Sequence, residues 1–104
     1  MLGTVRTDGS PHLVPVHAMR AGDRFWVLTR PETVKVRNLA GRPRAALTEH
    51  TDTVWATVEG RAYVSDEEEL LAQARSAYEL RYGRPDTWGT CVLTIEVDRV
   101  LHGS

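Results

Sequence analysis

Every second residue from Val54 to Val64 is small or apolar, and the residues between them are mostly bulkier or polar. Because successive side chains of a strand point to opposite faces of a sheet, this alternation predicts a long strand with one buried face. Gly60 falls within the small and apolar series, where a glycine marks a bulge or bend of the kind that small barrels need. The segment therefore predicts an antiparallel β fold built around one bent strand.

The flanking sequence predicts six strands in all. The Asp8-Gly9 pair is a strong hairpin turn that joins a strand over residues 2–7 to a partner over residues 12–19. A turn at residues 21–23 leads to a third strand over residues 24–29, which would complete a meander. The remaining strands are predicted at residues 44–50, 54–64 and 90–100. We expect a mostly β, six-stranded antiparallel barrel in a single domain, residues 1–104.

Two short helices are predicted between these strands. The first begins near Pro31, which suits a first helical turn, and Gly41 is a natural C-terminal cap. The second begins at Ser65, which forms a capping box with Glu68, and ends at Gly83. Neither helix follows a βαβ rhythm, which argues against a parallel, doubly wound sheet.

The first predicted helix lies in a basic segment, Thr29 to Arg44. The chain as a whole has a formal net charge of −1, but cations far outnumber anions over residues 30–44. These cations are Arg30, Lys35, Arg37, Arg42 and Arg44, and the one anion is Glu32. Donor groups at a strand end and a short helix suit an anionic ligand such as a phosphate. A solvated surface helix explains the same charges, so both interpretations stay open.

Composition limits the other functions. The net charge near zero argues against a nucleic-acid-binding chain. The single cysteine, Cys91, rules out an internal disulfide and a cysteine-based metal cage, and its alternation with Leu93 and Ile95 places it in the core. No apolar run approaches the roughly 20 residues that span a bilayer, and no leader pattern is present, so a cytoplasmic protein is expected.

No residue pattern identifies catalytic side chains. The four histidines are dispersed without the spacing of a metal site, so no metal is expected. No serine or cysteine lies in a nucleophile elbow, and no pair of carboxylates is placed for acid–base chemistry. From the residues alone, the prediction is a small anion-binding barrel whose catalytic residues are unknown.

The order of the segments resembles the flavin-binding split-barrel family of pyridoxamine 5′-phosphate oxidase-like proteins, and especially its small actinobacterial F420- or FMN-dependent reductases. The similar segments occur in the family's order over about the first two thirds of the chain, and the helix end at residues 77–83 is also similar. They are Leu2–His12, Val14–Val16, Phe25–Thr29, Lys35–Leu39, Pro43–Leu47 and Val58–Ala62.

The resemblance implies a split β-barrel that forms a homodimer, with a cofactor site in each of two clefts at the interface. It implies that Val14, Pro15 and Val16 lie along the cofactor ring. It also implies that Thr29, Lys35 and Asn38 hold the phosphate end, with Arg37 a weaker candidate. Thr48 would line the cleft, and Trp88 would reach across from the partner subunit. The choice between F420 and FMN stays open, with a slight preference for F420.

The implied reaction is hydride transfer to or from a small organic substrate, for which the cofactor supplies most of the chemistry. A non-catalytic carrier of flavin, F420 or haem on the same fold is the alternative. Three departures affect the expectation. The family's usual helix before the first strand is absent from this sequence, so either a segment is missing or the cleft is less covered. His17 stands where a bulky aromatic residue is common. The chain is too short for the C-terminal elements of true pyridoxamine phosphate oxidases, which argues against that substrate.

Overall fold

The computed structural model describes residues 1–103 as one seven-stranded antiparallel sheet with two helices. The strands are β1 (Leu2–Val5), β2 (Pro11–Val14), β3 (Ala18–Ala21), β4 (Arg24–Thr29), β5 (Arg44–His50), β6 (Trp55–Ser65) and β7 (Cys91–Gly103). The helices are α1 (Val34–Leu39) and α2 (Glu68–Tyr82). The order across the sheet is β2-β1-β5-β6-β7-β4-β3. The predicted mostly β, antiparallel class with two inserted helices is confirmed.

The predicted strand over residues 12–19 is wrong, because it breaks into β2 and β3 on either side of Pro15. Proline has no N–H to donate to a ladder, so the strand cannot continue through it. β2 pairs with β1 and β3 pairs with β4, at opposite edges of the sheet. The predicted meander is therefore also wrong, and residues 1–103 contain seven strands instead of six.

The break at Pro15 sets the shape of the sheet. Only residues 15–17 connect β2 to β3, and so few residues span at most about 14 Å. The two edges of the sheet must therefore approach each other, so the sheet curls into a barrel that stays split between β2 and β3. We refer to residues 15–17 as the crossover.

The bend predicted at Gly60 is confirmed. β6 and β7 pair from Trp55 opposite Gly103 to Ser65 opposite Val92, with a register shift between Glu59 and Gly60. A Cβ atom at Gly60 would collide with the backbone carbonyl of Glu96 on β7. Only glycine allows the two strands to approach this closely.

Two apolar clusters pack on the two faces of the sheet. The inner one fills the barrel and contains Leu2, Val27, Leu39, Ala45, Leu47, Ala62, Leu93 and Ile95. The outer one lies under α2 and contains Met19, Leu28, Ala74, Tyr78 and Val92. β7 is consequently buried on both faces from Cys91 to Ile95. The core position predicted for Cys91 is confirmed, since 3% of the residue is exposed.

The helix ends agree only in part with prediction. Gly83 ends α2 in the left-handed conformation with φ of 73°, as predicted. The predicted capping box is wrong, because α2 begins at Glu68. The Ser65 hydroxyl instead accepts a hydrogen bond from the Glu67 amide at 3.1 Å. α1 ends at Leu39 and its C-cap, Ala40, is right-handed, so Gly41 does not serve as a left-handed cap. Within residues 1–103, neither helix has the length and apolar character that crossing a membrane requires.

Replacing Gly60 with alanine should destabilise the fold, because its Cβ has no space beside the Glu96 carbonyl. Overpacking of this kind lowers the free energy of unfolding by about 1–3 kcal/mol, which urea denaturation would measure. Gly41→Ala is the matched control, since a Cβ there meets nothing within 4 Å. Equal unfolding free energies for the two variants would contradict the close approach at the bulge.

Candidate functional site

A cleft of about 240 Å³ lies beside the crossover. The crossover residues Pro15, Val16 and His17 form one wall of this cleft, and Val27 and Leu28 of β4 also line it. The other residues around it are Lys35 from α1, Tyr78 from α2, and Asp86 and Trp88 from the loop before β7. The fold thus brings five separate segments of the chain to one cleft, which we call the Lys35 cleft.

Two cations surround the Trp88 indole beside the Lys35 cleft. The Arg30 Nε donates a hydrogen bond to the Trp88 carbonyl oxygen at 2.8 Å, and the guanidinium carbon lies 5.4 Å from the ring centroid. The Lys35 Nζ lies 5.9 Å from the same centroid. Both distances permit cation–π attraction. Trp88 nevertheless remains 48% exposed, so part of its surface is available for further contacts.

Lys35 is the cation best placed to receive an anion. It is half-buried, and burial lowers the pKa of its ammonium group below the usual value, although the nearby Cys91 opposes this shift. It makes no ion pair within residues 1–103, whereas Arg30 lies 3.8 Å from Glu32. A partly desolvated cation without a counter-ion favours binding of an anion.

Thr29 and Asn38 are buried and hydrogen-bonded within the chain. Thr29 is fully buried, and its Oγ1 lies 3.3 Å from Thr33 Oγ1. Asn38 is 7% exposed, and its Nδ2 donates a hydrogen bond to Thr4 Oγ1 at 3.0 Å. These bonds fix α1 against β1 and the end of β4. Neither residue lines the Lys35 cleft, and Arg37 of the same helix is exposed to solvent away from it.

The first turn of α1 offers less to an anion than the sequence suggests. The Thr33 amide donates to the Arg30 carbonyl at 3.3 Å, and the Thr33 hydroxyl donates to the same oxygen at 2.9 Å. The helix has only six residues, so its dipole is small. The Lys35 side chain therefore dominates the attraction for an anion here.

Thr48 faces a neighbouring cleft of about 320 Å³ on the other side of the crossover. Its Oγ1 lies 2.7 Å from Thr57 Oγ1. Val16 lines both clefts, so the crossover separates them. Val14 packs against the inner core. Of the nine predicted residues, the Lys35 cleft gathers Pro15, Val16, Lys35 and Trp88.

Two tyrosines of α2 meet His17 at the crossover. The His17 ring lies edge-on to Tyr78 and Tyr82, with centroids 6.1 Å and 4.9 Å away. The Tyr82 hydroxyl donates to the Ala18 carbonyl oxygen at 2.7 Å. Sequence reasoning assigned neither tyrosine to the site. Their spacing of one helical turn on α2 was the available signal, but it did not say which strand they would pack against.

The loop that carries Trp88 is held by its own polar contacts. The Asp86 Oδ2 accepts a hydrogen bond from the Gly89 amide at 2.9 Å, and Arg75 of α2 donates to the Gly89 carbonyl at 3.0 Å. A Cβ at Gly89 would come within 2.9 Å of the Leu28 side chain. The loop therefore packs closely on the end of β4 and presents Trp88 from within the same chain.

A family model described as pyridoxamine 5′-phosphate oxidase matches residues 1–102. The chain belongs to this family. A relative from Mycobacterium tuberculosis (strain CDC 1551 / Oshkosh), the F420H(2)-dependent biliverdin reductase, is 30% identical over 110 residues. That alignment covers 97% of this chain and 76% of the relative. The resemblance noted from the sequence is thus confirmed.

Three solved structures have the same split-barrel fold as this chain. Conserved hypothetical protein Rv2991 from Mycobacterium tuberculosis has a TM-score of 0.83 at 24% identity, covering 99% of this chain and 74% of that one. A haem-binding protein from Mycobacterium smegmatis has a TM-score of 0.73 at 26% identity, covering 97% of this chain and 46% of that one. An FAD-binding protein from Mesorhizobium loti has a TM-score of 0.72 at 18% identity, covering 97% of this chain and 81% of that one.

Replacing Asn38 with alanine should destabilise the chain, because Thr4 Oγ1 loses its buried donor. The expected loss is about 1–3 kcal/mol of unfolding free energy, measurable by urea denaturation. Arg37→Ala is the neighbouring control, because Arg37 is exposed on the same helix. Its effect should stay within about 0.5 kcal/mol. Wild-type stability of the Asn38 variant would show that this bond does not hold α1 in place.

Proposed function

We propose that this protein is an F420- or FMN-dependent oxidoreductase that transfers hydride to or from a small organic substrate. The observation that carries the proposal is the Lys35 cleft. There an apolar wall at the crossover meets a partly buried cation that has no ion pair among residues 1–103 and lies beside an indole. Similarity to an F420H(2)-dependent reductase supports it and gives F420 the slight preference.

The residues of the cleft fit a planar ring whose side chain carries a phosphate. Pro15 and Val16 provide a wall that a ring can pack against, and Pro15 has no N–H that would need a partner there. Lys35 provides positive charge for the phosphate, which both cofactors carry. In this arrangement Thr29, Asn38 and their hydrogen bonds support the helix that positions Lys35.

The residues of this chain would bind and orient the cofactor and would not transfer protons in the reaction. The bound cofactor would supply the hydride, and the protein would supply orientation, electrostatics and exclusion of water. Lys35 would neutralise the phosphate charge. Trp88 would cover the ring and keep water from it, and the crossover would set the ring plane. We assign no acid–base residue to the reaction.

Binding of cofactor tests the proposal first. FMN, F420 and haem would each be titrated into the protein, with calorimetry or tryptophan quenching as the readout. Binding of FMN or F420 tighter than about 100 μM, or about −5.5 kcal/mol, is expected. Lys35→Ala should weaken it by about 1.5–3 kcal/mol, the range for hydrogen bonds to charged groups.

Arg37→Ala is the charge-matched control for this titration, since it removes a cation from the same helix outside the cleft. It should retain most of the affinity. Absence of FMN and F420 binding at the stated concentration would overturn the proposal. Wild-type affinity of the Lys35 variant would show that the phosphate lies elsewhere.

A carrier function is the second candidate, and the similarity to a haem-binding protein favours it. A measurement of turnover distinguishes the oxidoreductase from the carrier. Reduced F420 would be mixed with biliverdin, because of the relative's activity, and with a panel of enones and quinones. Oxidation of F420 by any of these would support the enzyme. Tight binding of haem or F420 without turnover would support the carrier.

We further propose that the active form is a homodimer. The Lys35 cleft is partly open to solvent, so a second chain would complete the cover that Trp88 begins. Exposed apolar side chains support association, with Val54 52%, Trp55 41% and Val100 59% exposed at one end of β6 and β7. Sedimentation equilibrium should give twice the mass of one chain. A monomer that binds cofactor with full affinity would contradict this.

A further inference from the structure

The cleft that Thr48 faces, across the crossover from the Lys35 cleft, has an apolar floor. Its volume is about 320 Å³, and we call it the Arg81 cleft. Leu47 of the inner core forms part of the floor, together with three side chains that pack against that core, Val16, Ala18 and Phe25. Of these residues, only Val16 belongs to the proposed ring wall of the cofactor site. The Arg81 cleft therefore offers apolar surface to a second ligand.

Two arginines lie at the rim of this cleft. Arg20 comes from β3 and Arg81 from the last turn of α2, and both are exposed. Within residues 1–103, neither makes an ion pair. The Arg20 Nε donates a hydrogen bond to the Gly22 carbonyl oxygen at 3.0 Å, which uses one of the five N–H donors of its guanidinium group. Both arginines therefore have donors left for a ligand.

Contacts of Tyr82 hold the two rim arginines at the same cleft. Its hydroxyl donates a hydrogen bond to the Ala18 carbonyl oxygen on β3 at 2.7 Å. The Arg81 guanidinium carbon lies 5.0 Å from the Tyr82 ring centroid, a distance that permits cation–π attraction. The end of α2 is thus tied to β3, the strand that carries Arg20. Two cations that are far apart in the sequence therefore meet at one apolar floor.

The charge around the Arg81 cleft favours an anion. Among the described residues that line it, Glu49 of β5 is the one carboxylate. Burial raises the pKa of the Tyr82 hydroxyl, while the Arg81 charge lowers it and the Glu49 charge raises it. Both charges therefore lie close to this hydroxyl. Two guanidinium groups and one carboxylate leave the cleft with a positive balance, which attracts anionic ligands.

We propose that the Arg81 cleft binds a small organic carboxylate with an apolar body. Arg20 and Arg81 would donate hydrogen bonds to the carboxylate, because the guanidinium group matches its geometry. The body of the ligand would lie against Phe25 and Leu47. The Glu49 charge opposes this binding and limits its strength. The site goes beyond the proposed hydride transfer and does not require a bound cofactor.

Three ligands of similar shape and different charge test the proposal on the intact protein. They are 3-phenylpropionate, the uncharged 3-phenylpropanamide and the cationic 3-phenylpropylamine, and the readout is the NMR signals of the Phe25 and Leu47 backbone amides. The carboxylate should shift these signals saturably with a dissociation constant of about 1 mM or tighter. The amide should bind at least about fivefold more weakly, and the amine should not bind. Added salt should weaken binding of the carboxylate but not of the amide.

Variants identify the groups responsible. Arg20→Gln and Arg81→Gln should each weaken binding of the carboxylate by about threefold, the effect of losing one exposed ion pair. Glu49→Gln should strengthen it by about twofold, because it removes the opposing charge. All three residues are exposed, so the variants should fold, and misfolding could not strengthen binding. Arg84→Gln is the control, because Arg84 is an exposed cation just beyond α2 that does not line the cleft, and it should have no effect.

Several outcomes would overturn the proposal. These are no saturable shift up to about 20 mM carboxylate, equal binding of carboxylate and amide, or unchanged binding in both arginine variants. The Lys35→Ala variant should bind the carboxylate as wild type does, and loss of the shifts there would place the ligand in the Lys35 cleft instead. The titration uses protein without cofactor, so its result does not depend on the proposed hydride transfer. Failure of this site is therefore distinguishable from failure of the cofactor site.

Discussion

Pro15 interrupts a strand and thereby determines the shape of the molecule. Because it cannot donate to a ladder, β2 and β3 separate and pair at opposite edges of the sheet. The short crossover then forces those edges together, and the barrel stays split where it runs. Both clefts on either side of Val16 exist only because the barrel does not close there. The interruption that weakens the ladder is thus what creates the candidate site.

The site also depends on how firmly α1 and the Trp88 loop are held. α1 is too short to be stable alone, since isolated helices below about 12–15 residues are marginal. Its position comes from Leu39 in the inner core and from the Asn38 bond to Thr4. The Trp88 loop is tied to β4 through the Arg30 bond and to α2 through Arg75. Lys35 and Trp88 therefore meet at a position set by buried contacts on both sides.

The local features of the fold could be predicted from the sequence, but the pairing of the strands could not. The alternation around Gly60 predicted a bent strand because a period of two and a glycine are both local signals. The lack of a donor at Pro15 is evident from the residue type. The sequence does not show that β2 and β3 lie at opposite edges, since strand partners depend on contacts distant in sequence. The burial of Val92 and Thr94 was missed because α2, which covers them, comes from elsewhere in the chain. The resemblance implied that Thr29 and Asn38 hold a phosphate, and only the fold shows that both side chains are buried in hydrogen bonds within the chain.

We propose that the Lys35 cleft holds the ring of F420 or FMN, with the phosphate of its side chain at Lys35. A crystal structure of the protein grown with each cofactor tests it most directly. The claim predicts density for the ring against Pro15 and Val16, with a phosphate oxygen within about 3 Å of Lys35 Nζ. A ring bound in the neighbouring cleft at Thr48, or a phosphate held by Arg42 or Arg44 with Lys35 turned away, would contradict it.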